Sequence, residues 1–460
     1  MNIIINNLGP IREATFDFDK QISIFCGPNN TGKTYLSYVL YAFTRLRIPP
    51  LEVQLTDQQL RDFYVKRSFS YSIDTEMVYE AVFKRQENMY SDLSAIFGIS
   101  DTVAEKLFAT FSMHIDLDRD AYVTYLKERE LDFVISFKGQ QLAKVIKKSG
   151  DDVLQVLNVS NGIDDDRESV KEELLTQIFK LLILPVSFSH FFPVERNSLY
   201  TYYKDIMANR SQLMGLLQRL ENGNRQALVD YISRNSARYP IAISYSLDAA
   251  NKMSAVSQER GYYASLADDI EQNVLGGKLS LAEDGDLRYV SDRAPGKILP
   301  LYLSASMTKS LSGLVYCLRH VAGRYDMIFI DEPEVNCHPN AQILITRIFG
   351  KMVNAGIRLV VSTHSDYIIR ELNNLIMLSG IRDNKNEQLN EWGYTKDMAI
   401  ASEKVGAYLF TYDNGNNSVN VSPIEVNEYG FEVRTIDESI SRQNDISETL
   451  YYELRYGKNN

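Results

Sequence analysis

Hydrophobic and polar positions in the first fifty residues alternate in a way typical of an α/β protein. Short apolar runs at Ile3–Ile5, Ala14–Phe18 and Ile22–Cys26 predict three strands. The apolar spacing then changes to a helical one, which predicts a helix from near Lys33 to a stop before Pro49. The apolar positions of this helix are Leu36, Val39, Leu40 and Phe43.

The spacing of apolar residues also divides the rest of the chain into segments. The stretch after residue 50 has mostly helical spacing, interrupted at Leu131–Phe137, and a hairpin is predicted at Lys278–Ala282 and Leu287–Val290. Helix and strand patterns then alternate at α/β lengths up to residue 378. We predict six segments: an N-terminal lobe of a head domain (1–50), a mainly helical insertion (51–184), a return segment to the head (185–200), a second helical segment (201–276), the second part of the head (277–380), and a C-terminal α/β extension (381–460).

The first strand–helix junction carries a phosphate-binding pattern. Gly27–Thr34 reads G-P-N-N-T-G-K-T, the P-loop spacing, directly after the apolar strand Ile22–Cys26. Backbone N–H groups of such a loop and the helix N-terminus surround phosphate oxygens, the lysine reaches the β- and γ-phosphates, and the hydroxyl completes a Mg²⁺ shell. A chance glycine turn is the alternative. We predict binding of a nucleoside triphosphate, with ATP and Mg²⁺ contacted by Asn29, Asn30, Thr31, Gly32, Lys33 and Thr34.

An apolar strand ending in two carboxylates supplies the predicted second half of this site. Met327–Ile330 is followed by Asp331 and Glu332. Behind a P-loop, this arrangement predicts that Asp331 holds the metal and that Glu332 polarises the attacking water. The alternative is that Glu332 only caps its strand.

A histidine follows the next buried strand, Ile357–Thr363. Ligands bind beyond the carboxyl ends of parallel strands, and this predicts that His364 contacts the γ-phosphate or the water. A structural histidine is the alternative. Catalysis is therefore assigned to Glu332 and His364 together with Lys33.

A serine-rich segment at 303–310 precedes a helix that stops at Gly323. Hydroxyls and a lysine at a helix N-terminus form an anion site, in this segment through Ser304, Ser306 and Lys309. Because the P-loop already supplies one such site, a second suggests that two subunits share each nucleotide. An ordinary serine N-cap is the alternative.

Composition and charge narrow the function classes. The 460 residues carry a net charge of −11, which argues against a chain coated in basic surface for indiscriminate nucleic-acid binding. The three cysteines form no C-x-x-C pair, and the N-terminus lacks a basic segment before its short apolar run. These features predict a cytoplasmic protein that does not associate with a membrane.

These motifs, in this order, resemble the ABC-type ATPase heads of the SMC, RecN and OLD proteins. The segment 303–310 stands where that superfamily has L-S-G-G-Q, although Ala305 and Ser306 replace the glycine pair. The D-loop corresponds to Glu334–Pro339, and His364 to the switch histidine. Within that superfamily, the sequence most resembles the OLD-like AAA ATPases of bacterial anti-phage operons. The motifs that carry this resemblance are P-V-E-R-N at 193–197, S-M-T-K-S-L at 306–311, D-E-P-E at 331–334 and S-T-H-S-D at 362–366.

The resemblance implies an α/β, ABC-type P-loop head with a mixed or parallel sheet, flanking helices and a large insertion. It implies ATP hydrolysis in a head-to-head dimer or higher homo-oligomer, in which Ser304 or Ser306 of one subunit meets the P-loop of another. No Q-loop glutamine is evident, and Arg196 beside Glu195 is the substitute that we assign. An ion pair outside the site explains Arg196 and Glu195 equally well.

The resemblance also implies a partner. Many OLD proteins carry a TOPRIM nuclease, but residues 381–460 contain no D-x-D pair. We therefore expect a separately encoded effector, such as a TOPRIM or HNH nuclease, as in two-part defence systems like PARIS with its AriA subunit, Septu and some retrons; DNA or a phage protein are further possible partners. The alternatives are a RecN- or SMC-like DNA-repair head and a scaffold that uses ATP structurally.

Overall fold

The structure is a computed structural model that describes residues 1–45, 55–137, 140–160, 167–184, 186–203, 239–253, 259–282, 285–381, 387–413 and 418–456. Within these residues it contains a nine-stranded mixed sheet, a four-stranded sheet, a three-stranded sheet and helices that flank them. The predicted α/β class is confirmed.

Strands and helices are numbered in chain order. The strands are β1 (Asn2–Leu8), β2 (Ile11–Asp17), β3 (Ile22–Cys26), β4 (Ser68–Ser72), β5 (Ser112–Asp116), β6 (Leu131–Phe137), β7 (Gln140–Lys147), β8 (Val153–Asn158), β9 (Ser189–Phe192), β10 (Gly277–Leu281), β11 (Leu287–Ser291), β12 (Ile298–Pro300), β13 (Met327–Asp331), β14 (Arg358–Thr363), β15 (Val405–Tyr412) and β16 (Val419–Ile424). The helices are α1 (Lys33–Arg45), α2 (Asp57–Val65), α3 (Thr75–Asn88), α4 (Leu93–Phe97), α5 (Asp101–Leu107), α6 (Arg119–Glu128), α7 (Arg167–Ile183), α8 (Ile241–Lys252), α9 (Ala264–Ile270), α10 (Ser306–Tyr316), α11 (Pro339–Asn354), α12 (Asp366–Gly380), α13 (Glu387–Glu391) and α14 (Arg434–Tyr456).

The central sheet has the order β5-β1-β2-β16-β15-β3-β14-β13-β9. From β15 to β9 all neighbouring strands are parallel. Every residue of β3 and β13 is buried, as continuous apolar runs require when helices cover both faces of a sheet. The carboxyl ends of β3, β13 and β14 therefore meet at one edge, where the predicted site residues follow them.

Side chains on the two faces of this sheet enter separate hydrophobic cores. Phe25, Phe329 and Val360 pack with α1 and the insertion. Ile24 and Ile328, from alternate positions of the same strands, pack with α10, α11 and α12. This alternation follows from the two-residue period of a strand. It places the P-loop helix on one face of the sheet and the serine-rich helix on the other.

The segment predicted to be a mainly helical insertion contains a second sheet as well as helices α2–α7. Its four antiparallel strands have the order β4-β8-β7-β6, and residues of β4 alternate between buried and exposed. β5 leaves this segment and pairs with β1, so that Ile3 lies opposite Ile115. The insertion is thus joined to the head through the central sheet itself.

The C-terminal segment is also part of the head. β15 pairs in parallel with β3, with Val405 opposite Ile22, and β16 pairs with both β15 and β2. These two strands therefore lie within the central sheet, whereas the sequence pattern predicted a separate C-terminal extension. The helix α14 follows, and its side chains from residue 441 onward are exposed, including Leu450 and Leu454.

The predicted hairpin is present as β10 and β11, with Leu279 opposite Tyr289, and β12 adds a third strand. Parts of other predictions lie outside the described residues. These are the helix stop at Pro49, and the portions of the second helical segment at 204–238 and 254–258. None of the helices that the structure describes is long and apolar enough to cross a membrane.

Candidate functional site

The P-loop connects β3 to α1 in a conformation that needs glycine. Gly27 has φ of 140°, and a Cβ there would lie 2.3 Å from the Phe410 carbonyl oxygen. Gly32 has φ of 89°, also in the region that side chains disfavour. The loop closes on itself through the Thr31 hydroxyl, which donates to the Pro28 carbonyl at 2.8 Å.

The Lys33 ammonium lies inside this loop. Nζ donates to the carbonyl oxygens of Gly27 at 2.9 Å and Pro28 at 2.8 Å, and the residue is 6% exposed. Burial lowers the pKa of Lys33, although the carboxylates of Glu332 and Asp331 oppose that shift. The lysine is therefore a desolvated cation held at the centre of the phosphate-binding loop.

Thr34 and Asp331 meet across the gap between the P-loop and β13. The Thr34 hydroxyl donates to Asp331 Oδ2 at 2.9 Å, and the Ser362 hydroxyl donates to Oδ1 of the same carboxylate. Burial raises the pKa of Asp331, and the two hydroxyl donors oppose that shift. One hydroxyl and one carboxylate oxygen in contact provide the oxygen ligands that Mg²⁺ prefers.

Glu332 and His364 form the adjoining pair. His364 Nε2 lies 2.9 Å from Glu332 Oε1, and Nδ1 lies 3.0 Å from the Gly27 carbonyl oxygen. A carbonyl oxygen can only accept, so Nδ1 is the donor in the contact with Gly27. The hydrogen bond from His364 lowers the pKa of Glu332.

The backbone at Glu332 is unusual. Its φ of 47° is in the left-handed region, which non-glycine residues seldom adopt. Its N–H donates to the Ser362 carbonyl at 3.0 Å and fixes the turn that aims the side chain at His364. Such conformations concentrate at functional sites.

Glu334 supports His364 from behind. Its Oε1 accepts from the Thr363 hydroxyl at 2.8 Å and from the His364 N–H at 2.6 Å. Burial raises the pKa of Glu334 despite these donors. The sequence analysis assigned Glu334 to the D-loop and did not predict its contact with His364; the second acidic residue of D-E-P-E was the available signal. The contact of Ser362 with Asp331 was not predicted either, and the only available signal was its position just before Thr363 and His364.

The structure places Arg196, the predicted Q-loop substitute, outside the lining of the P-loop pocket. Its guanidinium is 1% exposed and donates to the carbonyls of Asp331 at 2.7 Å, Glu332 at 2.8 Å and Pro193 at 3.1 Å. Burial lowers its pKa. Arg196 does not line the pocket. It lies behind the acidic turn and holds its backbone in place, because one guanidinium can donate to several buried carbonyls at once.

The pocket at the P-loop is open and has a volume of about 560 Å³. Its walls bring the P-loop together with Glu332 and His364, and sequence reasoning did not include Pro10 and Tyr35 among them. The residues that line it are Pro10, Asn29, Asn30, Thr31, Gly32, Lys33, Thr34, Tyr35, Glu332 and His364.

The serine-rich segment does not line this pocket in the same chain. Ser304 is buried and its hydroxyl donates to the Leu301 carbonyl at 2.6 Å, whereas Ser306 is exposed and Lys309 is half-buried. The N-cap of α10 is Ala305, and no side chain caps the helix. Ser306 is thus the serine whose hydroxyl is available at this helix start, and the serine N-cap alternative does not apply.

Among the described residues there is no group of three or more histidine, cysteine, aspartate or glutamate side chains that could hold a metal. The candidate for the predicted magnesium ion is the Thr34–Asp331 pair, whose side-chain oxygens lie 2.9 Å apart.

The AAA ATPase domain family matches residues 1–369 of the 460. The chain belongs to this family. The matched residues include the P-loop, the acidic turn and His364. No curated protein matches the chain.

Solved SMC heads are similar to the chain at low identity. The SMC head domain from Thermotoga maritima shares 10% identity with a TM-score of 0.33, over 92% of this chain and 98% of that one. The Smc head domain with an extended coiled coil bound to the C-terminal domain of ScpA, from Pyrococcus furiosus, shares 8% identity with a TM-score of 0.34, over 97% and 98%. These values are too low to add to what the family match shows.

Proposed function

We propose that this chain is an ATP-hydrolysing switch subunit that closes as a dimer around ATP and controls a separate effector in bacterial anti-phage defence. The observation that carries the ATPase part is the convergence of Lys33, the Thr34–Asp331 pair and the Glu332–His364 pair at one edge of the sheet.

Binding uses groups that are already in place. The triphosphate lies along the P-loop, where the N-terminus of α1 and the loop N–H groups favour anions. Lys33 exchanges its two carbonyl acceptors for phosphate oxygens, which bind its charge more strongly. Tyr35, 37% exposed at the rim of the pocket, is positioned to contact the bound nucleotide.

Thr34 and Asp331 would hold magnesium, because their oxygens already lie 2.9 Å apart on the side of the pocket next to Lys33. The ion would supply positive charge to the β- and γ-phosphate oxygens. Ser362 keeps the Asp331 carboxylate oriented toward Thr34 through its own hydrogen bond.

Hydrolysis is assigned to Glu332 and His364. The carboxylate of Glu332 orients the attacking water and accepts its proton, while His364 donates toward the γ-phosphate. In the structure these two side chains are bonded to each other. Each must therefore exchange that bond for one to water or phosphate, which couples the geometry of the site to the presence of ATP.

The dimer completes the site. The N-terminus of α10, with Ser306 exposed and no side-chain cap, presents N–H donors and Lys309 outward. The γ-phosphate of ATP bound to the P-loop of a second subunit is negatively charged and would be attracted to these N–H donors and to the Lys309 ammonium. We assign Ser306 and Lys309 to this contact in trans.

The switch and effector parts rest on the resemblance to OLD-like defence ATPases. The insertion shares the central sheet through β5, so a movement of the head is transmitted to it directly. The test is a phage challenge of cells carrying this gene with and without its neighbouring reading frame. Protection that needs both genes, and that Lys33→Ala abolishes, supports the proposal. If this gene protects cells without its neighbour, or if the two genes together give no protection, the effector part of the proposal is removed.

A further inference from the structure

The last helix, α14, leaves the head and continues into solvent. Phe431 and Val433, just before it, are buried in the core that also holds α10, α11 and α12. Every residue from 441 to 456 is exposed, and at a rise of about 1.5 Å per residue this part of the helix extends roughly 24 Å. Most helical stability in proteins comes from packing of an apolar face, so a helix this exposed lacks the contact that would stabilise it.

This exposed part carries an apolar stripe. Ile446, Leu450 and Leu454 are spaced four residues apart and therefore lie on one face. They are 43%, 64% and 73% exposed, and none of them belongs to either hydrophobic core of the described residues. Contiguous exposed apolar side chains rimmed by polar residues mark an interaction site, whereas single ones are ordinary.

The aromatic residues of α14 have partners within the helix. The Tyr452 and Tyr456 rings stack with their centroids 6.0 Å apart. The Arg455 guanidinium lies 5.5 Å from the centroid of the Tyr451 ring and 5.7 Å from that of the Tyr456 ring. The apolar stripe remains exposed, so it is the face of α14 that is left for another molecule.

One edge of the apolar stripe is charged and the other is not. With about 100° of rotation per residue, Arg442 and Glu453 fall along the same edge, one toward each end. Ser447 and Tyr451 occupy the opposite edge. Arg442 and Glu453 are both exposed, and among the residues that the structure describes neither has an ion-pair partner. The stripe is therefore bordered by one positive and one negative group in a defined order.

We propose that the apolar stripe binds the same stripe of a second copy of this chain, with the two α14 helices antiparallel. Ile446 of each chain packs against Leu450 of the other, and Arg442 of each chain faces Glu453 of the other. In an antiparallel pair related by a two-fold axis, each edge of a stripe faces the same edge of its copy. A positive group followed by a negative one is then complementary to its own reverse.

One register satisfies both contacts. Pairing Ile446 with Leu450 sets the two-fold axis level with residue 448, midway between them. Arg442 lies six residues before this level and Glu453 lies five residues after it, so the two charges differ in height by one residue, or about 1.5 Å. The long side chains of arginine and glutamate span such a difference, and the symmetry forms the ion pair twice.

The charges select the antiparallel direction. In a parallel pair the charged edge of one helix would face the uncharged edge of the other, and neither ion pair would form. Exposed ion pairs contribute little free energy, so the apolar stripe drives association and the charges fix its direction. None of these residues lines the pocket at the P-loop, so the contact does not require ATP.

Sedimentation velocity of the full chain without nucleotide, over a series of concentrations, measures this association. The parent should form dimers, and Leu450→Glu should raise the dimer dissociation constant by at least about tenfold because it places a charge in the apolar stripe. Tyr452→Glu places the same charge on the opposite side of α14 and is the matched control, expected to associate as the parent does. Omitting nucleotide separates this contact from the dimer proposed around ATP.

Charge reversal tests the direction. Arg442→Glu should weaken association roughly threefold or more, because each ion pair becomes a repulsion. The double variant that adds Glu453→Arg should associate as the parent does. Glu448→Arg reverses an exposed charge on the far side of the helix and should leave association unchanged.

A parent that stays monomeric at about 100 µM overturns the proposal and leaves the stripe to a different protein. Association of Leu450→Glu equal to that of the parent overturns it as well. If the double variant associates as weakly as Arg442→Glu alone, the antiparallel register is wrong and the proposal is overturned with it.

Discussion

The Nε2 atom of His364 lies 2.9 Å from Oε1 of Glu332. In the proposed mechanism, the histidine thereby occupies the carboxylate oxygen that would orient the attacking water. Since Nδ1 of the same ring is bound to the Gly27 carbonyl, a single side chain joins the acidic turn to the P-loop. Under the proposed function, bound ATP would have to rearrange these two contacts.

Glu332→Gln should remove turnover and keep binding. The amide preserves the shape of the side chain but cannot accept the proton of water, so kcat should fall by roughly a hundredfold or more. ATP affinity should change little, and it is measured by titration with a fluorescent ATP analogue. Glu403→Gln, at an exposed position away from the pocket, is the control. Unchanged kcat in Glu332→Gln would favour the scaffold alternative.

Arg196→Met should destabilise the fold rather than weaken nucleotide contact directly. The change removes the Arg196 donor to the buried Asp331 carbonyl and one of the two donors to the Glu332 carbonyl, which should lower the free energy of unfolding by about 3 kcal/mol. Denaturant titration measures it, with the exposed Arg370→Met as the matched change, expected within about 0.5 kcal/mol of the parent. If Arg196→Met instead keeps the stability of the parent but binds ATP more weakly, the result would favour the direct contact between Arg196 and the nucleotide that the sequence predicted.

Mixing two inactive variants tests whether the site is shared between subunits. Lys33→Ala removes the P-loop function, and Ser306→Arg blocks the helix start that we assign to the partner's nucleotide. Mixed dimers hold one complete site if each site takes its P-loop and its serine from different chains. Turnover should then appear in the mixture and in neither variant alone. A mixture as inactive as its parts would contradict the trans assignment.

His190 predicts a pH dependence of stability. Its pKa is raised to about 10, above the value of about 6.5 in an unfolded chain, so its contribution is fully present below pH 6.5 and is lost as pH rises through 10. The difference in unfolding free energy between the parent and His190→Gln should shrink across this window, by about 1.4 kcal/mol for each unit by which folding raises the pKa. A difference independent of pH would contradict the charged ring. The charged and titratable groups around it are Cys317, Asp326, Arg45, Asp248 and Lys252.

The positions of the candidate site residues at the strand ends were predictable because they follow local patterns. The P-loop, Asp331, Glu332 and His364 each follow a buried strand, and parallel pairing of β13, β14 and β3 then brings them to one edge. A fully apolar strand is evident in sequence, and its carboxyl end marks the position of the site.

Long-range relationships were not predictable in this way. Arg196 reads as a charged residue beside Glu195, and only its burial against the carbonyls of Asp331 and Glu332 reveals its role. β5 pairs with β1 across more than a hundred residues, and no turn pattern links them. His190 and Asp326 are 136 residues apart in the chain, so their contact has no signal in spacing.

ATP binding by the parent and by Lys33→Ala in the presence of Mg²⁺, measured by calorimetry, tests the nucleotide site most directly. We predict saturable binding by the parent and a loss of roughly tenfold to a hundredfold in the variant, because charge-assisted hydrogen bonds contribute about 1.5–3 kcal/mol. Lys20→Ala, which removes a lysine bound to the Glu403 carbonyl and outside the nucleotide pocket, should bind as the parent does. Equal ATP affinity in the parent and Lys33→Ala would contradict the assignment of this loop as the triphosphate site.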